Sequence, residues 1–390
     1  MFEKIVLRRS VDGPPITIGE IAEALIFYQK IHLILDYPSL FGIIEKIGMP
    51  NLLKLLSLPE VTTTYIEELP AVHTQKSIYG NEYDIGAMIV AGHEDVGVFQ
   101  SRSKRLAFRL ERHGYKKEEA KKYTERFRRC VTYKKLGDDF YVKGGIFNEA
   151  RADLFNKEYV TEASKIIVQN MLGNVKLPEE FSFNIRKTEN TFSISTNLDF
   201  KNLLSDRFTP AHIASELYNA TIGLIFAGHY GGDFYTSDTE SKIIQLRQRY
   251  LLRRFQIDQA ELGKFNQLVL ADAPSIAETL NQEHRSFEEF LELLSSAKRF
   301  KKWLKGKSPD ESIISNYIED ITAGNWSSSI SGKLLRYVCG SAVGLFADPA
   351  TGIAVSAGDS FLLDKYLSGW KPNQFIKDSV KPFVDKEKDY

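Results

Sequence analysis

The order of apolar segments in the first 66 residues constrains the fold more than any other feature of the chain. Phe2 to Arg8 alternates loosely between apolar and charged positions and predicts a strand. Asp12-Gly13-Pro14-Pro15 is a turn signal. Thr17 is followed three residues later by Glu20, the spacing of a capping box, which predicts a helix over 18–28. Lys30 to Asp36 is a short apolar run, Leu40 to Leu56 has helical apolar spacing, and Val61 to Ile66 is rich in β-formers. Strand, helix and strand in such short succession predict a βαβ unit with parallel strands, because parallel neighbours need a crossover connection. Asp36 ends the middle strand. A carboxylate there either caps the helix that follows or faces a ligand at the carboxyl edge of the sheet.

Further along, Tyr83 to Phe99 reads as a strand pair with glycine breaks, and Phe147 to Leu172 as mostly helical. Phe181 to Ile185 and Thr191 to Thr196 alternate on either side of a turn at 187–190, as a β-hairpin does. After Thr209-Pro210, which suits a helix start, the pattern turns helical: Ala211 to Phe226, Ser237 to Phe265, Ala273 to Leu280 and Ser286 to Ala297. Ser331 to Trp370 is dominated by small residues and split by Asp348-Pro349, which predicts a helical hairpin over 331–367. The fold class expected is α+β. A mixed α/β region over 1–200, carrying a basic helical insertion at 101–136, precedes an all-helical region over 201–390. That second region ends in the small-residue helical hairpin and a charged tail. With 43% hydrophobic residues the chain has ample material for a folded core.

Charge is segregated. The whole chain is neutral, with 51 basic and 51 acidic residues, yet residues 101–136 hold fourteen basic residues against four acidic ones. The periodicity gives two basic helices around His113-Gly114. The residues that such helices offer to a phosphate backbone are Arg102, Arg105, Arg109, Lys121, Lys122, Arg126, Arg128 and Arg129. Each phosphate neutralised releases counterions, so a protein of this kind binds nucleic acid with steep salt dependence. The same charge also suits an acidic protein, an anionic membrane surface, or a solvated face balanced by acidic surface elsewhere. A second basic cluster, Lys298 to Lys307, surrounds Trp303.

A second functional reading is a metal-dependent hydrolase. Ile89-Val90-Ala91-Gly92-His93 and Ile225-Phe226-Ala227-Gly228-His229 match at four of five positions. If they were copies of one element, His93, Asp95, His229 and Asp233 would form a cluster able to hold a divalent metal and activate water. The match is short and its flanks diverge. A third reading is a structural or membrane-active effector acting through the 331–367 hairpin. Asp348 in the middle of that run opposes a constitutive transmembrane segment.

No phosphate-binding glycine loop, zinc-ligand pattern or other cofactor motif is present, and no motif assigns an enzyme class. Two cysteines 209 residues apart form no disulfide framework, and the N-terminus shows no signal stretch. The location expected is cytoplasmic.

Overall fold

The computed structural model describes residues 3–9, 15–78, 80–89, 102–138, 140–141, 145–173, 176–188, 191–200, 208–231, 233–235, 242–244, 246, 267–270, 276–304, 335–338, 375 and 379–385. The opening residues fold as their pattern dictates. Strand β1 (Lys4–Arg8), helix α1 (Ile18–Phe27), strand β2 (Lys30–Leu35), helix α2 (Tyr37–Leu56) and strand β3 (Val61–Tyr65) follow in order. Both β1–β2 and β2–β3 pair in parallel. Thr17 and Glu20 form the reciprocal capping box of α1. Asp36 caps α2: its Oδ1 accepts from the Ser39 N–H at 2.9 Å, while its Oδ2 lies 3.5 Å from Arg9. The capping reading of Asp36 therefore holds.

Strands β4 (Glu68–Ser77) and β5 (Gly80–Ile89) pair antiparallel over ten residues. Helices α3 (Arg102–Arg112) and α4 (Lys117–Cys130) lead into a short strand, β6 (Thr132–Tyr133). Helices α5 (Ile146–Leu154) and α6 (Lys157–Leu172) precede the hairpin of β7 (Phe183–Lys187) and β8 (Phe192–Thr196). The remaining elements are α7 (Pro210–Tyr230), β9 (Asp233–Tyr235), β10 (Gln267–Leu270), α8 (Ile276–Asn281), α9 (Phe287–Ser296), α10 (Lys298–Leu304), β11 (Leu335–Val338) and α11 (Lys381–Asp385). Mixed strands and helices thus precede a mainly helical C-terminal region; β9, β10 and β11 fall within 201–390, which the sequence reading makes all-helical.

Two sheets result. The larger has the order β10-β11-β9-β1-β2-β3-β6, and its five strands from β9 to β6 run parallel. The smaller is antiparallel, β4-β5-β8-β7. Successive side chains on a strand point to opposite faces, so β1 and β2 feed two cores. Ile5, Leu7, Ile31, Leu33, Leu35 and Tyr65 pack with α1 to α4 and with the C-terminal helices α8 to α11. Val6 and Ile34 pack with α5, α6, α7 and the antiparallel sheet. Helices on both faces are what a buried parallel sheet requires. Gly19 lets α1 approach α8: a Cβ there would overlap the Ala277 carbonyl, and the Gly19 N–H donates to Asn281 at 3.0 Å.

Two strands, β4 and β11, are not legible in the sequence pattern. β4 had no strand signature, because it is polar, contains Pro70 and is half-exposed along its length. Its partner, β5, runs unbroken through Gly86, and the rest of the strand pair expected over 83–99 lies outside the described residues. Leu335–Val338, placed by the sequence in a helical arm, is β11, held antiparallel between β10 and β9. A four-residue segment gains more from backbone partners on both sides than from its own helical preference. The rest of 331–367 lies outside the described residues, as does most of 237–265.

Candidate nucleic-acid interface

The basic segment folds into two helices, as its periodicity requires. Gly114 at φ +89° makes the turn between α3 and α4, a conformation that favours glycine. Leu106, Leu110, Ala120 and Phe127 face the core, where Phe127 meets Tyr65 edge-on at 5.5 Å. The Tyr115 hydroxyl accepts from the Met49 N–H at 2.9 Å and ties the turn to α2.

Packing divides the basic residues into two groups. Arg105 and Arg109 sit on the inner face of α3 and are 7% and 3% exposed. Both reach Glu67, just beyond the carboxyl end of β3 and itself 3% exposed. Arg105 Nε donates to Glu67 Oε1 at 2.8 Å and its Nη2 to Oε2, a bidentate pair, while Arg109 Nη1 lies 3.4 Å from Oε1. The Arg109 guanidinium also stacks 3.9 Å from the Tyr37 ring centre. These two arginines, expected to contact phosphate, instead anchor α3 to the sheet. Their spacing of four residues looks the same in sequence whether the face is wet or buried. Glu67, which decides the matter, belongs to no motif; its position just after the β-rich run 61–66 is the one signal the sequence offers.

The second group faces solvent. Lys121, Lys122, Arg126, Arg128 and Arg129 are exposed on α4, with Ala120, Thr124 and Phe127 buried behind them. Lys121 pairs with Glu118 at 3.3 Å. Glu118 and Glu119 in the first turn and Arg128 and Arg129 in the last complement the helix dipole. Arg102 opens α3, but its side chain is outside the described residues.

From α4 the chain enters β6, the edge strand of the parallel sheet, and continues to Lys134 and Lys135. Lys134 Nζ rests 3.4 Å from the ring centre of Phe140. Phe140 lies 4.5 Å from the His229 ring, and Tyr141 meets His229 edge-on at 5.2 Å. Beneath this patch is a polar network on the α7 face of the sheet. His32 Nδ1 and Nε2 bond Thr62 at 2.8 Å and Thr64 at 3.1 Å. The Tyr230 ring stacks on His32 at 3.6 Å, and its hydroxyl bonds Thr64 at 2.8 Å and Tyr141 at 3.1 Å. Lys4 donates to the Tyr230 carbonyl, so an ammonium closes the C-terminus of α7. Burial, then Lys4 and His229, push the His32 pKa down to about 3. Burial, then Lys134 and Lys4, lower that of His229.

The hydrolase residues are placed only in part. His93 and Asp95 lie outside the described residues, and Asp233 is described in its backbone alone, within β9. His229 is exposed in the last turn of α7, and Lys4 and Lys134 beside it repel a divalent cation. The internal match is not a structural repeat, since Ile89 ends a strand and Ile225 lies inside a helix. Among the described residues no three His, Cys, Asp or Glu side chains gather as a metal site, and no helix is long and apolar enough to cross a membrane. In the second basic cluster, Lys301 is buried rather than exposed, and burial pushes its pKa down to about 8. No family model matches the chain, and neither curated proteins nor solved structures give a significant match.

Proposed function

We propose that the protein binds nucleic acid through the outer face of α4 and the adjoining Lys134 and Lys135, and that it does so in the cytoplasm. The observation that carries the reading is the division of labour in the basic segment. Glu67 holds Arg105 and Arg109 inside, and Lys121, Lys122, Arg126, Arg128 and Arg129 stand exposed on one helix. Five cations on a rigid element, with Glu118 on Lys121 and Glu125 as the acidic side chains among them, make a surface to which a phosphate backbone adds counter-charge. Such binding is dominated by counterion release.

The test is fluorescence anisotropy of labelled DNA and RNA across a salt series, with the full chain. The triple variant Arg126→Glu, Arg128→Glu, Arg129→Glu is expected to weaken binding at low salt and to flatten the log–log salt slope. The slope falls by about 0.9 for each duplex phosphate that the protein no longer neutralises. Unchanged affinity and slope in the triple variant would refute the assignment of the surface. Binding of anionic vesicles with no binding of nucleic acid would transfer the surface to a membrane.

A further inference from the structure

Phe140 is a large aromatic side chain in an expensive place. It is 49% exposed, next to an edge strand, with a lysine on its ring and a histidine beside it. Exposed single hydrophobics are common and need no account by themselves. Here the distribution is informative. The large hydrophobic side chains exposed among the described residues are Ile78, Met88, Phe108, Phe140 and Met171. Both phenylalanines belong to the basic region or its immediate continuation. Phe108, 40% exposed, carries the Arg112 guanidinium 5.8 Å from its ring centre, one helical turn on. Each exposed ring in the basic region therefore has a cation within reach of its face.

The chemistry of that pairing selects a ligand. Duplex grooves offer phosphates, base edges and the thymine methyl, while the π-faces of the bases stay hidden in the stack. Unpaired bases offer π-faces, and proteins that bind single strands combine a cationic track with aromatic side chains on which bases stack. We propose that the nucleic acid recognised is single-stranded, and that one base stacks on Phe140 beside His229 while Lys134 takes the neighbouring phosphate. This rests on the reading of the α4 surface as a nucleic-acid interface. Among the described residues, the Lys134 ammonium lies on the Phe140 ring, not on a carboxylate. A base that covers the ring displaces the ammonium toward the phosphate attached to the same nucleotide, so the cation exchanges one weak contact for a charge-assisted one. Partial burial and then its two lysine neighbours favour the uncharged ring of His229, which adds a second π-face at 4.5 Å from the first. Tyr141, whose ring meets His229 edge-on and whose hydroxyl bonds Tyr230, holds the platform from behind. Phe108 with Arg112 is a second station of the same type on α3.

The experiment is anisotropy with labelled oligo(dT), oligo(U) and a duplex of matched length, for the native chain, Phe140→Leu, Phe140→Trp and Phe108→Leu. Circular dichroism confirms that each variant is folded. The single strands are expected to bind more tightly than the duplex. Phe140→Leu is expected to weaken single-strand binding about tenfold with an unchanged salt slope, because stacking is removed and charge is not. Phe140→Trp restores it. Single strands and duplex bound equally, with Phe140→Leu without effect, would overturn the stacking proposal and leave the phosphate-binding surface standing. No binding of any nucleic acid by the native chain would overturn both.

Discussion

Acidification from pH 7 to pH 5 removes about 2 kcal/mol of folding stability through His32 alone. The side chain is 5% exposed and bonded at both ring nitrogens to Thr62 and Thr64. Its folded pKa of about 3 lies below the ordinary 6.5, chiefly because burial opposes the charged form. Between those two values the unfolded chain takes up a proton that the folded chain refuses. Stability contributed by the neutral imidazole is therefore present above pH 6.5 and is lost progressively as pH falls toward 3. At pH 5 the unfolded group is about 1.5 pH units below its own pKa, and each unit is worth about 1.4 kcal/mol. The assay is urea denaturation at pH 7 and pH 5 for the native chain and for His32→Gln, whose amide can still bond both threonines but does not titrate. Other groups titrate in both proteins and cancel in the difference. The native chain is expected to lose about 2 kcal/mol more than the variant between the two pH values. Equal losses would show that His32 takes up its proton in the folded state, and that the burial argument is wrong.

Two further outcomes follow from buried charges. Glu67→Gln is expected to lower stability by about 3 kcal/mol, toward the lower end for breaking a buried ion pair, since both arginines keep other partners. In nucleic-acid titrations the folded variant is expected to bind as the native chain does; a fall in affinity with unchanged structure would show that Arg105 or Arg109 contacts the ligand after all. Lys301→Met is expected to raise stability by on the order of 2–3 kcal/mol at pH 7, because the buried ammonium is removed and its stem is kept. The folded pKa of Lys301, about 8, lies below the ordinary 10.5. Its penalty is full below pH 8 and fades as pH rises to 10.5, so the advantage of the variant over the native chain should shrink over that range in denaturant titrations.

The sequence by itself determined the elements whose forces are local. The capping box of Thr17 and Glu20, the cap at Asp36, the βαβ crossover, the β7–β8 hairpin and the two basic helices were legible. The caps, the hairpin and the helices depend on residues a few positions apart, and the crossover on strands that follow one another in the chain. The tertiary structure alone decided three things. It made β4 a strand through ten backbone pairings with β5, although its own side chains carry no alternating pattern. It drew Leu335–Val338 into the sheet, whose partners are β10 and β9, far away in sequence. It also sorted the arginines. Arg105 and Arg126 are the same residue type on similar amphipathic helices, and what separates them is a carboxylate 38 residues from Arg105 that burial turns into an anchor. Helical periodicity shows which residues share a face. Which face is buried, and which cation meets a counter-charge there, is set by the elements that pack against it.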